Sequence, residues 1–337
     1  MQYASRPGRR VLTQLACALL VYGATAVALG ADAPRPAQAA EPAASSPLPP
    51  LVEPASTQHH AGKVIWLDLV TPDLDGAKRF YSGLFGWNFR DAQVGGRDYA
   101  TAWLQGQPVA GLIQRAPPPG ARRRPVWLTF LSVSDVDAAK RLALSHGARL
   151  LADTRDYPQR GRQAIFADPE GAVFAVLASS AGDPADDLAD PGEWIWSALF
   201  ARDPDQEAAF YQAVFGYDVF DVDDSASSNG SGGDRSDHLI LSGDGYARAS
   251  VNQLSGERKR HTPHWLNFVR VADVSATAAK AAALGGRVLV QPRADRQGGR
   301  LAVIVDPNGA PLGLMEWSGG ADNYPGSVAA PGSGAVQ

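Results

Sequence analysis

The sequence predicts an α+β protein of two tandem domains, each built from two βαβββ units whose strands curl into a half-open barrel around a cup. Three observations carry this. The chain repeats itself: Trp66, Asp73, Asp75, Phe80-Tyr81 and Phe85-Gly86 recur 130 residues on as Trp196, Asp203, Asp205, Phe210-Tyr211 and Phe215-Gly216. Farther along the offset is 138, taking Asp135 to Asp273 and Asp168-Pro169-x-Gly171 to Asp306-Pro307-x-Gly309. A repeat of this length is a duplicated domain, since solenoid units run to roughly 20–50 residues. Each copy also echoes internally, Asp75-Gly-Ala-Lys-Arg returning 62 residues later as Asp137-Ala-Ala-Lys-Arg. Finally, apolar periodicity reads strand, helix, then three strands, twice over in the first copy.

The chain opens with a basic stretch (Arg6, Arg9, Arg10), an apolar run from Val11 to Leu29, and small-residue sequences at Ala31-Asp32-Ala33 and Ala37-Gln38-Ala39. That is the pattern of a cleaved signal peptide over 1–33, or to 40 at the second site. It predicts a periplasmic or secreted protein, with no stable membrane association once the signal is removed; retained, the segment is long enough to be an anchor. The one cysteine, Cys17, lies inside the apolar run, so the processed chain has no thiol. Residues 34–61 are rich in Pro, Ala and Ser and read as a disordered tether.

Domain 1 is expected over 62–178. Val64–Val70 reads as a buried strand, Asp73 as a helix start, and Leu74, Ala77, Phe80-Tyr81 and Leu84 as its apolar face, with Gly86 the stop. Strands follow near Asn88–Ala92, Tyr99–Leu104 and Val109–Gln114, separated by Gly95-Gly96 and Gly106. The second unit reads as strand Val126–Val133, helix Val136–Ser145 closed by Gly147, and strands Arg149–Asp153, Gln163–Ala167 and Ala172–Leu177. A linker spans 179–191. Domain 2 spans 192–317 in the same order, with a single net insertion of eight residues placed at the Ser225–Gly233 stretch, and 318–337 reads as a flexible tail.

The net charge of −4 and scattered basic residues argue against nucleic acid. The dense clusters, Arg122-Arg123-Arg124 and Arg258-Lys259-Arg260, read as solvated loops. No Ser-His-Asp, Cys-His or phosphate-loop pattern is present.

Strand, Asp-x-Asp, helix, Phe-Tyr-x₃-Phe-Gly, closed by Asp-Pro-x-Gly before a last strand, resembles the vicinal oxygen chelate superfamily of glyoxalases, extradiol dioxygenases and bleomycin-resistance proteins. The resemblance covers roughly 63–178 and 192–317, and is nearest to tandem glyoxalase-like proteins. It implies the cup fold, and in metal-dependent members it implies His, Gln or Glu ligands on the first and last strands. Counting from the motifs, those positions hold Trp66, Leu128 and Ala175 in the first copy and Trp196, Leu266 and Gly313 in the second. None ligates a metal. His264 is the one weak candidate; Glu316 lies three residues past the ligand position and should face away. His146 reads as a helix-end group, and His59-His60 as part of the tether.

A cup without metal ligands suits an apolar or aromatic small molecule stacked on Trp66 or Trp196, with Asp68, with Gln114 and Asn252 ending the equivalent fourth strands, and with Thr129 and Asn267 at equivalent places in the fifth, as its polar groups. The expectation is therefore an exported small-molecule binding protein with no cofactor, monomeric or weakly dimeric. The alternatives are a lyase, isomerase or dioxygenase using a divalent metal, and a non-catalytic interaction scaffold.

Overall fold

A computed structural model describes residues 48–116, 125–221, 238–256, 261–294 and 299–317. The expected signal peptide, both dense basic clusters, the serine- and glycine-rich insertion and the expected flexible tail fall outside the described residues.

In the first copy the order is β1 (Val64–Thr71), α1 (Leu74–Phe85), β2 (Asn88–Val94), β3 (Arg97–Leu104) and β4 (Gln107–Gln114), then β5 (Val126–Ser132), α2 (Val136–Ser145), β6 (Arg149–Tyr157), β7 (Gly161–Ala167) and β8 (Val173–Ser179). The second copy repeats it with β9 (Trp194–Ala201), α3 (Pro204–Phe215), β10 (Asp218–Asp221), β11 (His238–Gly243) and β12 (Tyr246–Gln253), then β13 (His264–Arg270), α4 (Val274–Ala283), β14 (Arg287–Ala294), β15 (Arg300–Val305) and β16 (Pro311–Glu316). The strands of each copy form one eight-stranded sheet, ordered β2-β3-β4-β1-β5-β8-β7-β6 and β10-β11-β12-β9-β13-β16-β15-β14. The two units of a copy join where β1 runs antiparallel to β5, and β9 to β13.

The helix starts follow from one residue type. Asp73, Asp135, Asp203 and Asp273 each accept a hydrogen bond from a backbone N–H of the first turn, supplying donors that would otherwise lack partners. Gly86 and Gly216 end α1 and α3 in the left-handed region (φ 78° and 75°), which glycine enters without a Cβ penalty.

All four helices lie between the two sheets. One core gathers α2 and α3 (Val136, Ala139, Phe210, Tyr211) with the sheet faces beside them, and the other gathers α1 and α4 (Phe80, Tyr81, Val274, Ala278). The recurring motifs meet across this layer. Tyr81 of the first copy donates to Asp306 of the second (3.3 Å), and Tyr211 to Asp168 (3.0 Å). Trp127 and Trp265 donate in turn to those tyrosine hydroxyls. Each Asp also closes its own Asp-Pro-x-Gly turn, Asp168 accepting from Gly171 and Ala172 and Asp306 from Gly309 and Ala310. The Phe-Tyr and Asp-Pro-x-Gly repeats are thus the joint between copies as well as features of one unit.

Two expectations are corrected by the register. β4 and β12 are related by an offset of 139, from Gln107–Gln114 to Tyr246–Gln253, and Thr71 pairs with Gln114 as Ala201 pairs with Gln253. The net difference of eight is therefore a gain of nine before β11 and a loss of one between β12 and β13. Gln114 has Gln253, not Asn252, as its counterpart.

The supposed tether is also ordered over 48–61. Leu48 and Leu51 are buried, Ser56 N donates to Ala181 O (2.8 Å), and Asp183 N donates to Gln58 O (2.7 Å). His60 N donates to Asp183 Oδ2 (2.6 Å), so this histidine belongs to a packed junction. Leu48, Leu51 and Val52 are the apolar residues that hold a segment whose bulk composition reads as loose. Part of the linker takes part too: Asp183, 1% exposed, accepts from Ser132 Oγ (2.5 Å).

Candidate functional site: the two cups

The face of each sheet turned away from the helices forms its cup. In β1 and β5 the alternation of side chains puts Trp66, Asp68, Leu128 and Phe130 on this face and Leu67, Leu69, Trp127 and Leu131 on the helix side. The same parity excludes two predicted cup residues. Thr129 and Asn267 point into the joint between copies, where Asn267 Nδ2 donates to Thr129 Oγ1 (3.0 Å) and Ser197 Oγ donates to Asn267 Oδ1 (2.7 Å). Both are buried, at 0% and 2% exposure. Counting Leu128 and Leu266 as cup positions makes their neighbours face the other way, because strand side chains alternate. Gln114 also falls outside a cup: it is exposed at the end of β4, and its Oε1 accepts from Leu74 N at the start of α1 (3.3 Å).

The first cup is built and covered. Trp66 Nε1 and the Tyr99 hydroxyl both donate to Asp68 Oδ1, each at 2.8 Å. Gly111 lies opposite Asp68 on β4, where a Cβ would overlap both Asp68 Oδ1 and the Tyr99 hydroxyl. Burial pushes the Asp68 pKa up, while Arg160 and the two donors pull it back. Over this cluster lie Leu51 and Val52 of the N-terminal segment, packed with Ile65, Trp66, Phe130 and Leu177.

The second cup is open. It encloses about 800 Å³, walled by Trp196, Ala198, Ile240, Leu266, Phe268 and Met315 among others. Its polar side is a chain of bonds: His238 Nδ1 donates to Asn252 Oδ1 (2.7 Å), Asn252 Nδ2 to Ser250 Oγ (3.0 Å), and Trp196 Nε1 to Ser250 Oγ (3.2 Å). At the mouth the His264 ring stacks on Phe200 (5.4 Å between centroids, 17° between planes), and its Nδ1 donates to Thr262 O (2.8 Å). Burial draws the His264 pKa down, favouring neutral imidazole. The predicted Trp196, Asn252 and His264 are therefore brought together here. His238 and Ser250 were missed; the offset of 139, which maps Tyr99 onto His238 and Gly111 onto Ser250, is the signal that finds them.

Residues 58–176 match the model of the Glyoxalase/Bleomycin resistance protein/Dioxygenase superfamily, and 196–315 match that of a Glyoxalase-like domain. A protein of Mycobacterium tuberculosis named "Putative glyoxylase CFP32" is 34% identical over 271 residues, covering 78% of this chain and 98% of that protein. The chain belongs to the glyoxalase/bleomycin-resistance/dioxygenase superfamily. The anthracycline biosynthesis protein DnrV of Streptomyces peucetius is 30% identical over 274 residues, covering 77% of this chain and 95% of that one. Among solved structures, the Mn(II)-bound glyoxalase from Novosphingobium aromaticivorans superposes with a TM-score of 0.53 at 18% identity, over 80% of this chain and 84% of that one. The 2,3-dioxygenase LapB from Pseudomonas sp. KL28 gives 0.55 at 12%, over 77% and 94%. At those identities the likeness is one of fold.

The superfamily's divalent metal does not fit the residues present. Among the described residues no three His, Cys, Asp or Glu side chains gather where they could hold an ion. At Gly313, the last-strand position in the second copy, a Cβ would overlap the Phe268 ring, so the phenyl group occupies the space a ligating carboxylate needs. Glu316 is committed elsewhere, its Oε1 accepting from Val274 N at the start of α4 (2.6 Å).

Proposed function

We propose that the second cup binds a flat, apolar or aromatic small molecule carrying a carbonyl or hydroxyl group, without a resident metal. The observation that carries this is the 800 Å³ cavity with aromatic walls and one hydrogen-bonded polar side. Its size falls within the roughly 300–1,000 Å³ of small-molecule sites. Trp196 offers a rigid stacking surface whose own N–H is already satisfied by Ser250, so burying it under a ligand strands no donor. The Ser250 hydroxyl, which accepts from both Trp196 and Asn252, has its own hydrogen to give to a ligand oxygen. The relatives named for anthracycline biosynthesis favour a fused-ring aromatic. The N-terminal basic, apolar and small-residue pattern favours binding outside the cytoplasm.

Titration of metal-stripped protein with 1,8-dihydroxyanthraquinone, followed by quenching of tryptophan fluorescence, tests this. The reading predicts saturable quenching, with affinity weakened about tenfold or more in Trp196→Ala, since stacking and burial of one indole amount to roughly 1.5–3 kcal/mol. Binding that requires added Mn, Fe, Ni or Zn would replace this reading with the metalloenzyme one.

A further inference from the structure

The first cup holds a feature that the binding reading of the second does not use. Arg160, in the turn between β6 and β7, is 2% exposed. Its guanidinium lies over the Trp66 ring, 3.9 Å from the centroid; burial draws its pKa down, against which the neighbouring Tyr99 and the Asp68 carboxylate favour the charged form. Its Nε donates to Pro49 O of the N-terminal segment (2.9 Å). Its Nη2 is buried and meets no acceptor among the described residues. Nε–H and the adjacent Nη2–H form one edge of the guanidinium, and a carboxylate binds that edge through two parallel hydrogen bonds. The segment supplies a single carbonyl oxygen where two oxygens fit. It also supplies Leu51 and Val52 to the apolar space beside the edge, against Ile65, Phe130 and Leu177.

We propose that the first cup is a second ligand site, for a small carboxylic acid with an apolar body, and that residues 48–52 are its built-in, displaceable occupant. The carboxylate takes the Nε and Nη2 edge of Arg160, and the apolar body replaces Leu51 and Val52 beside Trp66. The segment is a poor match for the site it fills, because it leaves a buried donor unsatisfied. It is held from the far side instead, through Ser56 and Gln58 on Ala181 and Asp183. There a Cβ at Gly182 would overlap Ser56 Oγ. The strap can therefore leave the cup while staying tethered to the domain. The second copy lacks the guanidinium: the counterpart of Arg160 at an offset of 138 is Gly298, and although Leu188 and Ala189 of the linker pack against its Ile195, Leu266 and Phe268, about 800 Å³ of its cup stays open.

Benzoate is the probe and benzamide its uncharged isostere. With the full chain, calorimetric titration should show benzoate binding at least about tenfold tighter than benzamide, as expected when a charge-assisted pair is lost. Leu51→Asn with Val52→Asn, which weakens the strap and leaves Arg160 intact, should tighten benzoate binding severalfold. Arg160→Gln should abolish the preference over benzamide. Hydrogen exchange at 48–57 should speed up when wild type is saturated with benzoate. This readout stands even if Arg160→Gln fails to fold. Equal affinity for benzoate and benzamide, no gain in the strap variant, or unchanged exchange at 48–57 under saturating benzoate would each overturn the proposal. Ala198→Trp, which fills the second cup, should leave the benzoate result unchanged, so the two sites succeed or fail separately.

Discussion

Replacing Glu207 with glutamine should remove a pH dependence of stability that the joint between copies carries. Glu207 is fully buried on α3 at 0% exposure. Its Oε1 accepts from Glu170 N (3.1 Å), and its Oε2 meets no donor among the described residues. Burial first, then the neighbouring Asp168 and Glu170 charges, push its pKa up to about 9. Asp168 already accepts from two backbone N–H groups and from Tyr211, so the proton of this pair sits on Glu207. The folded state thus holds a proton that the unfolded state releases above about pH 4.5, and stability must fall as pH rises from there towards 9. The slope is at most about 1.4 kcal/mol per pH unit, so up to about 3 kcal/mol is lost between pH 6 and 8. In a protein of this size that corresponds to at most about 6 °C in Tm. Glutamine keeps the Oε1 acceptor and donates from the position of the carboxylic proton without titrating. Urea midpoints measured at pH 6 and 8 should drop for wild type and stay level, in this component, for Glu207→Gln. Equal slopes for the two proteins would refute the assignment. The pseudo-equivalent position near Asp306 is Ala77, so the fold makes the same joint once without the acid.

Three further outcomes follow from the same geometry. Asn267→Leu should destabilise by about 1–3 kcal/mol in chemical denaturation, because Thr129 and Ser197 are left buried without their partner, and pairing it with Thr129→Val should recover part of the loss. Gly313→Ala should cost about 1–3 kcal/mol by forcing the Phe268 ring aside, read as a lowered Tm; a neutral result would show that the last-strand position is free to carry a ligand. His264 has its folded pKa lowered, so it contributes an acid-side loss of stability as pH falls below about 6.5. His264→Phe, which keeps the stack on Phe200, should remove that loss in Tm profiles between pH 5 and 7.

The framework was legible because its residues act locally. An Asp before each helix and a Gly after two of them cap their own segments, and apolar alternation sets which strand face is buried whatever lies beyond. Trp66, Trp196, Leu128 and Leu266 fell on the cup face for that reason. Thr129 and Asn267 were misplaced although the same alternation, applied one residue further, assigns them to the joint. Pairing Gln114 with Asn252 failed because one residue is lost between β12 and β13, invisible to motifs lying on either side of it. The cross-copy Tyr81–Asp306 and Tyr211–Asp168 bonds, and the filling of the first cup by Leu51 and Val52, depend on how distant segments pack. No local pattern encodes them. Arg160 was unreadable for the same reason: its meaning lies in Trp66 beneath it and Pro49 above it.

The account rests on the second cup being a binding site in its own right. The most direct test is a calorimetric titration of 1,8-dihydroxyanthraquinone into wild type and into Ala198→Trp, where an indole fills the cavity at the position that Asp68 takes in the first copy. The prediction is one site per chain in wild type and none in Ala198→Trp, with the two proteins folded alike by circular dichroism. Undiminished binding in Ala198→Trp would contradict it.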